Sequence, residues 1–144
     1  MRDVYEPALA LRFSVQLGAQ RLEHVMACEG LDAEYEVEEY REGGNIDHVH
    51  RLPVRVKYTN VRLTRPVDAD SGRLASWFSS ARSTLTRGTA TIIAKDGNGA
   101  EVARWELRGV WPVRYTGPKL SAAGTTAATE TIELAHDGFT VTAQ

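Results

Sequence analysis

Residues 9–17 read LALRFSVQL, a stretch in which every second side chain from Leu9 to Leu17 is apolar. A period of two is typical of a β-strand that turns one face to a core and the other to solvent. We therefore predict a half-buried strand over residues 9–17. A turn at residues 18–21 and a second short strand over residues 24–29 follow it.

The rest of the chain repeats this pattern around a single helical segment. Further strands are predicted over residues 33–40, 54–63 (with a bulge or bend near Thr59-Asn60), 89–95, 101–111, 128–136 and 139–142. Hairpin turns are predicted at residues 96–99, which read DGNG, and at Asp137-Gly138. A stripe at helical spacing predicts one helix over residues 70–82, formed by Leu74, Trp77, Phe78, Ala81 and Leu85. The pattern predicts one mostly β domain over residues 1–144, a small β-barrel or sandwich with a helix on its side.

Residues 41–53 carry no strand or helix pattern and contain the break Gly43-Gly44-Asn45. Unpatterned loops of about a dozen residues are uncommon in compact domains, and they are usually functional or disordered. We therefore expect residues 41–53 to form an extended loop or hairpin that reaches away from the domain, and to be the first candidate for a functional role.

Composition and charge exclude several classes of function. The chain has 17 basic and 19 acidic side chains, a net charge of -2, which gives no basic patch for nucleic acid or anionic membranes. Its single cysteine, Cys28, cannot form an internal disulfide. No apolar run approaches the length of a signal peptide or of a membrane helix, about 20 residues. We expect a cytoplasmic protein without a membrane anchor.

Candidate catalytic and metal-binding residues are few. The acidic run Glu34, Glu36, Glu38, Glu39 and Glu42 has three interpretations: a carboxylate site, a solvated strand face, or partners for basic residues of a neighbouring chain. His48 and His50 are too few for a metal site unless the fold adds ligands such as His24 or Cys28. Nucleophile-elbow, phosphate-loop and dinucleotide motifs are missing from the sequence. We therefore predict no catalytic residue, no metal, no cofactor and no enzymatic activity.

Six short stretches stand out, in order over about residues 11–139: CEGLD at 28–32, VEEYREGGN at 37–45, HRLP at 50–53 with RVKY at 55–58, VARW at 102–105, WPV at 111–113 and ETIELAH at 130–136. Together they resemble the tail tube protein family of contractile-tailed phages and extracellular contractile injection systems. One departure is Val54, which stands where family members often have glycine, a residue that tolerates positive φ.

The resemblance implies a barrel of about six β-strands with one flanking α-helix, as in secretion-system tube proteins of the Hcp type. It implies hexameric rings that stack into a hollow tube inside a contractile sheath. The implied partners are other copies of the chain, the sheath protein, spike or baseplate hub proteins and a tube cap, with protein effectors or DNA as cargo. Both the main tube subunit and the tube initiator fit these motifs.

Combined with the long loop, the resemblance implies a subunit interface. We expect residues 41–53 to contact the next ring and the flanking strands to pair between subunits. The predicted interface residues are Glu36, Glu38, Tyr40, Arg41, Glu42, Gly43, Gly44, Asn45, His48, His50, Arg51, Arg55 and Lys57. The alternatives are a monomeric β-barrel that binds a ligand or protein, and an enzyme that uses the acidic run.

Overall fold

The computed structural model describes residues 12–40, 43, 49–84, 87–124 and 127–143. These residues form ten strands and one helix, which confirms the mostly β prediction. The elements are β1 (Arg12–Leu17), β2 (Gln20–Val25), β3 (Ala27–Glu29), β4 (Ala33–Tyr40), β5 (His50–Tyr58), β6 (Val61–Pro66), α1 (Ser71–Thr84), β7 (Gly88–Lys95), β8 (Glu101–Thr116), β9 (Thr129–Ala135) and β10 (Gly138–Ala143).

Eight strands form one antiparallel sheet that curls towards a barrel. Its order is β2-β1-β7-β8-β9-β6-β3, and β10 also pairs with β8. The two ends of this path, β2 and β3, are neighbours in sequence, separated only by Met26. The Met26 N–H donates to the Thr64 carbonyl oxygen of β6 at 2.8 Å. If β2 and β3 are taken as one bent strand, and β9 and β10 as another, six strands surround the core, so the predicted barrel describes the fold approximately.

The long strand β8 joins the two halves of the sheet. β7 pairs with its first part, whereas β10 and β9 pair with successive parts. Because β9 and β10 are both antiparallel to β8, they run in the same direction, and the predicted hairpin at Asp137-Gly138 is wrong. The chain kinks there instead, with Gly138 at φ +147. The Asp137 N–H keeps a 2.8 Å hydrogen bond to the Arg108 carbonyl oxygen. Residues that tolerate positive φ mark such kinks as well as hairpin turns.

The apolar core lies inside the curled sheet, and α1 covers part of it. Leu74 of the helix is fully buried, and Trp77 packs on the core cluster. The Phe78 ring lies 6.3 Å from the Tyr115 ring of β8, beyond the part of β8 that pairs with β7. Leu74 and Trp77 of the predicted helical stripe thus pack in the core, whereas Leu85 lies outside the described residues. The buried residues of the core cluster are Val15, Leu17, Leu22, Val25, Val61, Leu63, Leu74, Ala90, Ile92, Leu107, Val110, Ile132 and Leu134.

A buried polar network fastens the start of α1 to the sheet. Arg65 and Glu130 are each 1% exposed, and Arg65 Nη1 donates to Glu130 Oε1 at 2.6 Å. Arg65 Nη2 donates to both carboxylate oxygens of Asp68 at 2.9 Å, and the Tyr115 hydroxyl donates to Glu130 Oε2 at 2.6 Å. The Asp68 carboxylate also accepts the Asp70 N–H at 2.8 Å, at the N-terminal end of the helix. Local sequence pattern did not indicate this network.

Candidate functional site

β4 and β5 form a two-stranded sheet of their own, separate from the eight-stranded sheet. We call this hairpin the arm and the rest of the described molecule the body. Every described residue of the two strands is exposed except Glu36 and Tyr58, which are half-buried. Residues 50–53, predicted to lie in an extended loop or hairpin, belong to β5 of this hairpin. The predicted bend at Thr59-Asn60 is present, because the chain leaves the arm there and enters the body.

One face of the arm is apolar. Tyr35 is opposite Val56 in the ladder, and Val37 is opposite Pro53. A register shift between Glu36 and Val37 leaves Val54 as an extra residue, so Pro53 and Val54 together oppose Val37. Since paired residues share a face and faces alternate along a strand, these five side chains form one surface. The exposed fractions are 64% for Tyr35, 52% for Val37, 54% for Val54 and 36% for Val56.

The opposite face of the arm is charged, and its basic residues are paired with Glu36 of the same chain. Arg55 Nε donates to Glu36 Oε2, and Lys57 Nζ lies 3.9 Å from Glu36 Oε1. The hydrogen bond from Arg55 holds the pKa of Glu36 below its ordinary value. Further out, Glu39 and Arg51 are opposite each other on the same face as Val37, and Arg51 Nη2 lies 3.8 Å from Glu39 Oε1. Arg51, Arg55 and Lys57 therefore pair with the acidic strand inside one subunit, where exposed ion pairs contribute little stability.

The predicted interface residues divide into those on the arm and those outside the described residues. Tyr40 and His50 are opposite each other at the end of the ladder, and Gly43 lies in a turn beyond it. Arg41, Glu42, Gly44, Asn45 and His48 lie outside the described residues. The remaining predicted residues lie on β4 or β5, namely Glu36, Glu38, Arg51, Arg55 and Lys57.

Sequence reasoning missed the apolar face, although the signal was present. Tyr35 and Val37 alternate with the glutamates of β4, and Val54 and Val56 alternate with the basic residues of β5. We interpreted the glutamates as the notable feature of β4. In the structure, Glu36 and Glu39 have basic partners, and the apolar side chains lie uncovered.

The described residues contain no group of three or more histidine, cysteine, aspartate or glutamate side chains placed to hold a metal ion. His24 lies in β2, Cys28 in β3 and His50 in the arm. Burial raises the pKa of the Cys28 thiol to about 11, so the reactive thiolate is scarce at neutral pH. In the same part of the chain, no helix is long and apolar enough to cross a membrane.

Comparison with known proteins agrees with this geometry. Residues 9–140 match the sequence profile of the family described as T4-like virus tail tube protein gp19. No curated protein matches significantly.

Several solved structures share the fold. A chain of the PVC sheath-tube complex of an extracellular contractile injection system has a TM-score of 0.85 and 24% identity, with coverage of 98% of this chain and 95% of that one. A chain of the anti-feeding prophage cap has a TM-score of 0.82 and 21% identity, with coverage of 100% of this chain and 96% of that one. Hcp1 from Flavobacterium johnsoniae has a TM-score of 0.58 and 10% identity over 92% and 96%. The expected Hcp-like fold is confirmed.

Proposed function

Because the chain belongs to the T4-like virus tail tube protein gp19 family, we propose that it is a structural subunit of the inner tube of a contractile injection system. Copies form hexameric rings, and the rings stack into a hollow conduit that sheath contraction drives forward. A tail tube family is structural, so the match confirms the prediction that the chain is not an enzyme. The monomeric binding module is not favoured.

The observation that carries the assembly proposal is the uncovered apolar face of the arm. Contiguous exposed apolar surface on a soluble protein marks an interaction site. Burying such surface contributes roughly 25 cal/mol per Å². Along a tube built from one repeated subunit, most neighbours of each copy are other copies of the same chain. The occupant of this face is therefore a second copy, bound through different surfaces on the two partners, as ring and stack formation requires.

The predicted polar residues complete this contact. We propose that residues 41–53 contact the next ring. Tyr40, His50 and Arg51 lie at the end of the described ladder. Apolar contacts then form the centre of the interface, and the charged residues of the arm surround it, which is the usual arrangement at protein interfaces.

The proposal extends to partners and location. Structural relatives come from a sheath–tube complex, a terminating cap and a baseplate. By analogy, the tube formed here contacts a sheath along its length, a baseplate or spike hub at one end and a cap at the other. The chain assembles in the cytoplasm and becomes part of a phage-tail-like particle. It serves as main tube subunit or tube initiator, and protein effectors or DNA pass through the lumen.

Deleting residues 43–49 tests the arm's role in assembly. We expect the body to keep its circular dichroism spectrum and unfolding transition, while tubes disappear from electron micrographs. A control deletion of residues 121–124, which are all exposed in a body loop, is expected to leave tubes intact. Normal tubes from the 43–49 deletion contradict the proposal. A wild-type chain that stays monomeric at every concentration supports the binding module instead.

A further inference from the structure

The direction of the arm depends on a small set of contacts at its base. β4 and β5 share no ladder with the eight-stranded sheet. The arm is connected to the body by residues 30–32 before β4 and by residues 59–60 after β5. A two-stranded ribbon held only by two short connections can swing unless side chains at its base fix it. We call residues 30–32 and 58–60 the root.

The two connections are held against each other at the root. Thr59 Oγ1 donates to the Gly30 carbonyl oxygen at 2.9 Å. Gly30 has φ +94, and a Cβ added there would lie 2.1 Å from the Asn60 carbonyl oxygen. This approach is possible only for glycine, so the root is closely packed rather than loose.

A second set of contacts ties the root to the junction of β9 and β10. His136 Nε2 lies 2.9 Å from the Thr59 carbonyl oxygen, and because a carbonyl can only accept, Nε2 carries the proton. Its Nδ1 is buried and has no hydrogen-bond partner among the described residues. The hydrogen bond to Thr59 is therefore the one that orients the His136 ring. Asn60 Nδ2 donates to Glu133 Oε1 of β9 at 3.0 Å.

Tyr58 provides the packing part of the same attachment. Its ring centroid lies 5.5 Å from that of His136 and 5.5 Å from that of Phe139, at interplanar angles of 55° and 66°. Such tilted and edge-on arrangements are favourable for aromatic pairs. Gly138 makes room for the ring, because a Cβ there would lie 3.2 Å from two Tyr58 ring carbons. Tyr58 also lies on the apolar side of the arm, since it is opposite Ala33 in the ladder.

We propose that Tyr58 and His136 act as positioning residues that lock the arm in one direction relative to the body. The apolar face of the arm continues from Tyr58 outward, so the lock sets where Tyr35, Val37 and Val54 are presented. A fixed arm does not lose orientational entropy each time a neighbour binds, and preorganisation of this kind strengthens association. The consequence for assembly rests on the proposed tube function, whereas the lock itself does not.

Paired spin labels measure the lock directly. Glu38→Cys places one label on the arm, and Glu106→Cys places the other at an exposed position of β8. Both are made in a Cys28→Ser background, which removes the native thiol. The labelled chain is diluted with unlabelled chain so that only distances within one subunit contribute. We expect a single narrow distance for the parent protein. Tyr58→Ala is expected to lose it and give a broad distribution with an unchanged circular dichroism spectrum.

Tyr35→Ala is the matched control, because it makes the same change on the same hairpin away from the root. It is expected to keep the narrow distance. If Tyr58→Ala does not fold, His136→Phe provides the test, since it keeps an aromatic ring and removes only the hydrogen bond to Thr59. A broadened distance in that variant supports the lock. A narrow distance in folded Tyr58→Ala or His136→Phe, or a broad one in the parent protein, overturns it.

Electron microscopy separates this inference from the function on which part of it rests. We expect Tyr58→Ala to form few tubes because its arms point in many directions, and Tyr35→Ala to form few tubes despite a fixed arm. If Tyr35→Ala forms normal tubes and keeps the narrow distance, the proposal that the apolar face binds a second copy is wrong. The proposal that Tyr58 and His136 fix the arm is then unaffected. Normal tubes from Tyr58→Ala with a broad distance overturn the claim that the lock serves assembly.

Discussion

β9 in the body and β5 in the arm both contain alternating apolar residues, but the structure treats them differently. Ile132 and Leu134 of β9 are 0% exposed, whereas Val54 and Val56 of β5 are 54% and 36% exposed. The alternation shows that one face of a strand avoids water, and it does not show what covers that face. In β9 the cover is the chain's own core. In β5 we propose that it is another copy of the chain.

The ion pairs of the two regions differ in the same way. Arg65 and Glu130 are buried together in the body, where an unpaired charge is costly. Arg55 and Glu36 are paired on the arm, where the Arg55 side chain is 72% exposed. Loss of a single contact in the body is therefore expected to lower the free energy of unfolding strongly. Loss of a contact in the arm is expected to lower it little, because the arm adds little to the stability of an isolated subunit.

The largest effect is expected when the buried ion pair is broken. Glu130→Ala leaves the Arg65 guanidinium buried with only Asp68 as an acidic partner and removes the acceptor of Tyr115. Breaking such a pair costs about 3–5 kcal/mol of unfolding free energy. Urea unfolding of the isolated subunit measures this loss. Glu36→Ala on the arm is the control and is expected to leave the unfolding midpoint unchanged. Similar losses in both variants contradict the contrast between body and arm.

The next largest loss of unfolding free energy is expected when an apolar side chain in the core is truncated. Leu134→Ala opens a cavity in the core and is expected to cost about 2–5 kcal/mol. Val54→Ala shortens a side chain that is already 54% exposed, so its cost is expected to stay within about 0.5 kcal/mol. The same unfolding experiment compares the two. A large loss for Val54→Ala in the monomer means that the arm belongs to the folded core.

Tyr115→Phe removes one hydrogen bond to a buried carboxylate, with an expected cost of about 1.5–3 kcal/mol. It also changes the alkaline pH dependence. The hydrogen bond to Glu130 raises the pKa of Tyr115 to about 12, from an ordinary value of about 10. The folded protein thus keeps a proton that the unfolded chain releases, and stability falls as pH rises from about 10 to 12. Unfolding measured across this range is expected to show a shallower fall for Tyr115→Phe. An identical slope in both proteins contradicts the assignment.

The smallest effect concerns acid. The hydrogen bond from Arg65 lowers the pKa of Asp68. A lowered folded-state pKa gives stability that is present above the ordinary aspartate pKa, about 3.9, and is lost as pH falls through the folded value. Asp68→Asn is expected to flatten the acid limb of a stability profile. An unchanged acid limb shows that other carboxylates control it.

Local pattern predicted much of the fold. Residues 33–40 and 89–95 lie in strands as predicted, and the helix begins within a residue of its predicted start. The turn after β7 forms because Asp96 Oδ1 accepts the N–H groups of Asn98 and Ala100, at 2.9 and 3.0 Å. These features depend on residues close together in sequence.

The features that were missed depend on distant residues. Arg65, Tyr115 and Glu130 meet only after three strands are in place, so no local spacing pairs them. The kink at Gly138 depends on β8, whose Arg108 carbonyl oxygen holds the Asp137 N–H. The register of the arm depends on the bulge at Val54, which moves Leu52 to the charged face, opposite Glu38. The family motifs were enough to identify the tube family. The apolar face could be recognised only from the pairing of β4 with β5 in the structure.

The most direct test of the central claim compares two substitutions on one strand of the arm. Val54 and Leu52 are each 54% exposed, but the bulge puts Val54 on the apolar face and Leu52 on the charged one. Tube formation by Val54→Asp and by Leu52→Asp is scored by electron microscopy at equal concentrations of folded protein. We predict that Val54→Asp abolishes tubes and that Leu52→Asp retains them. Normal tubes from Val54→Asp contradict the claim that a second copy covers the apolar face.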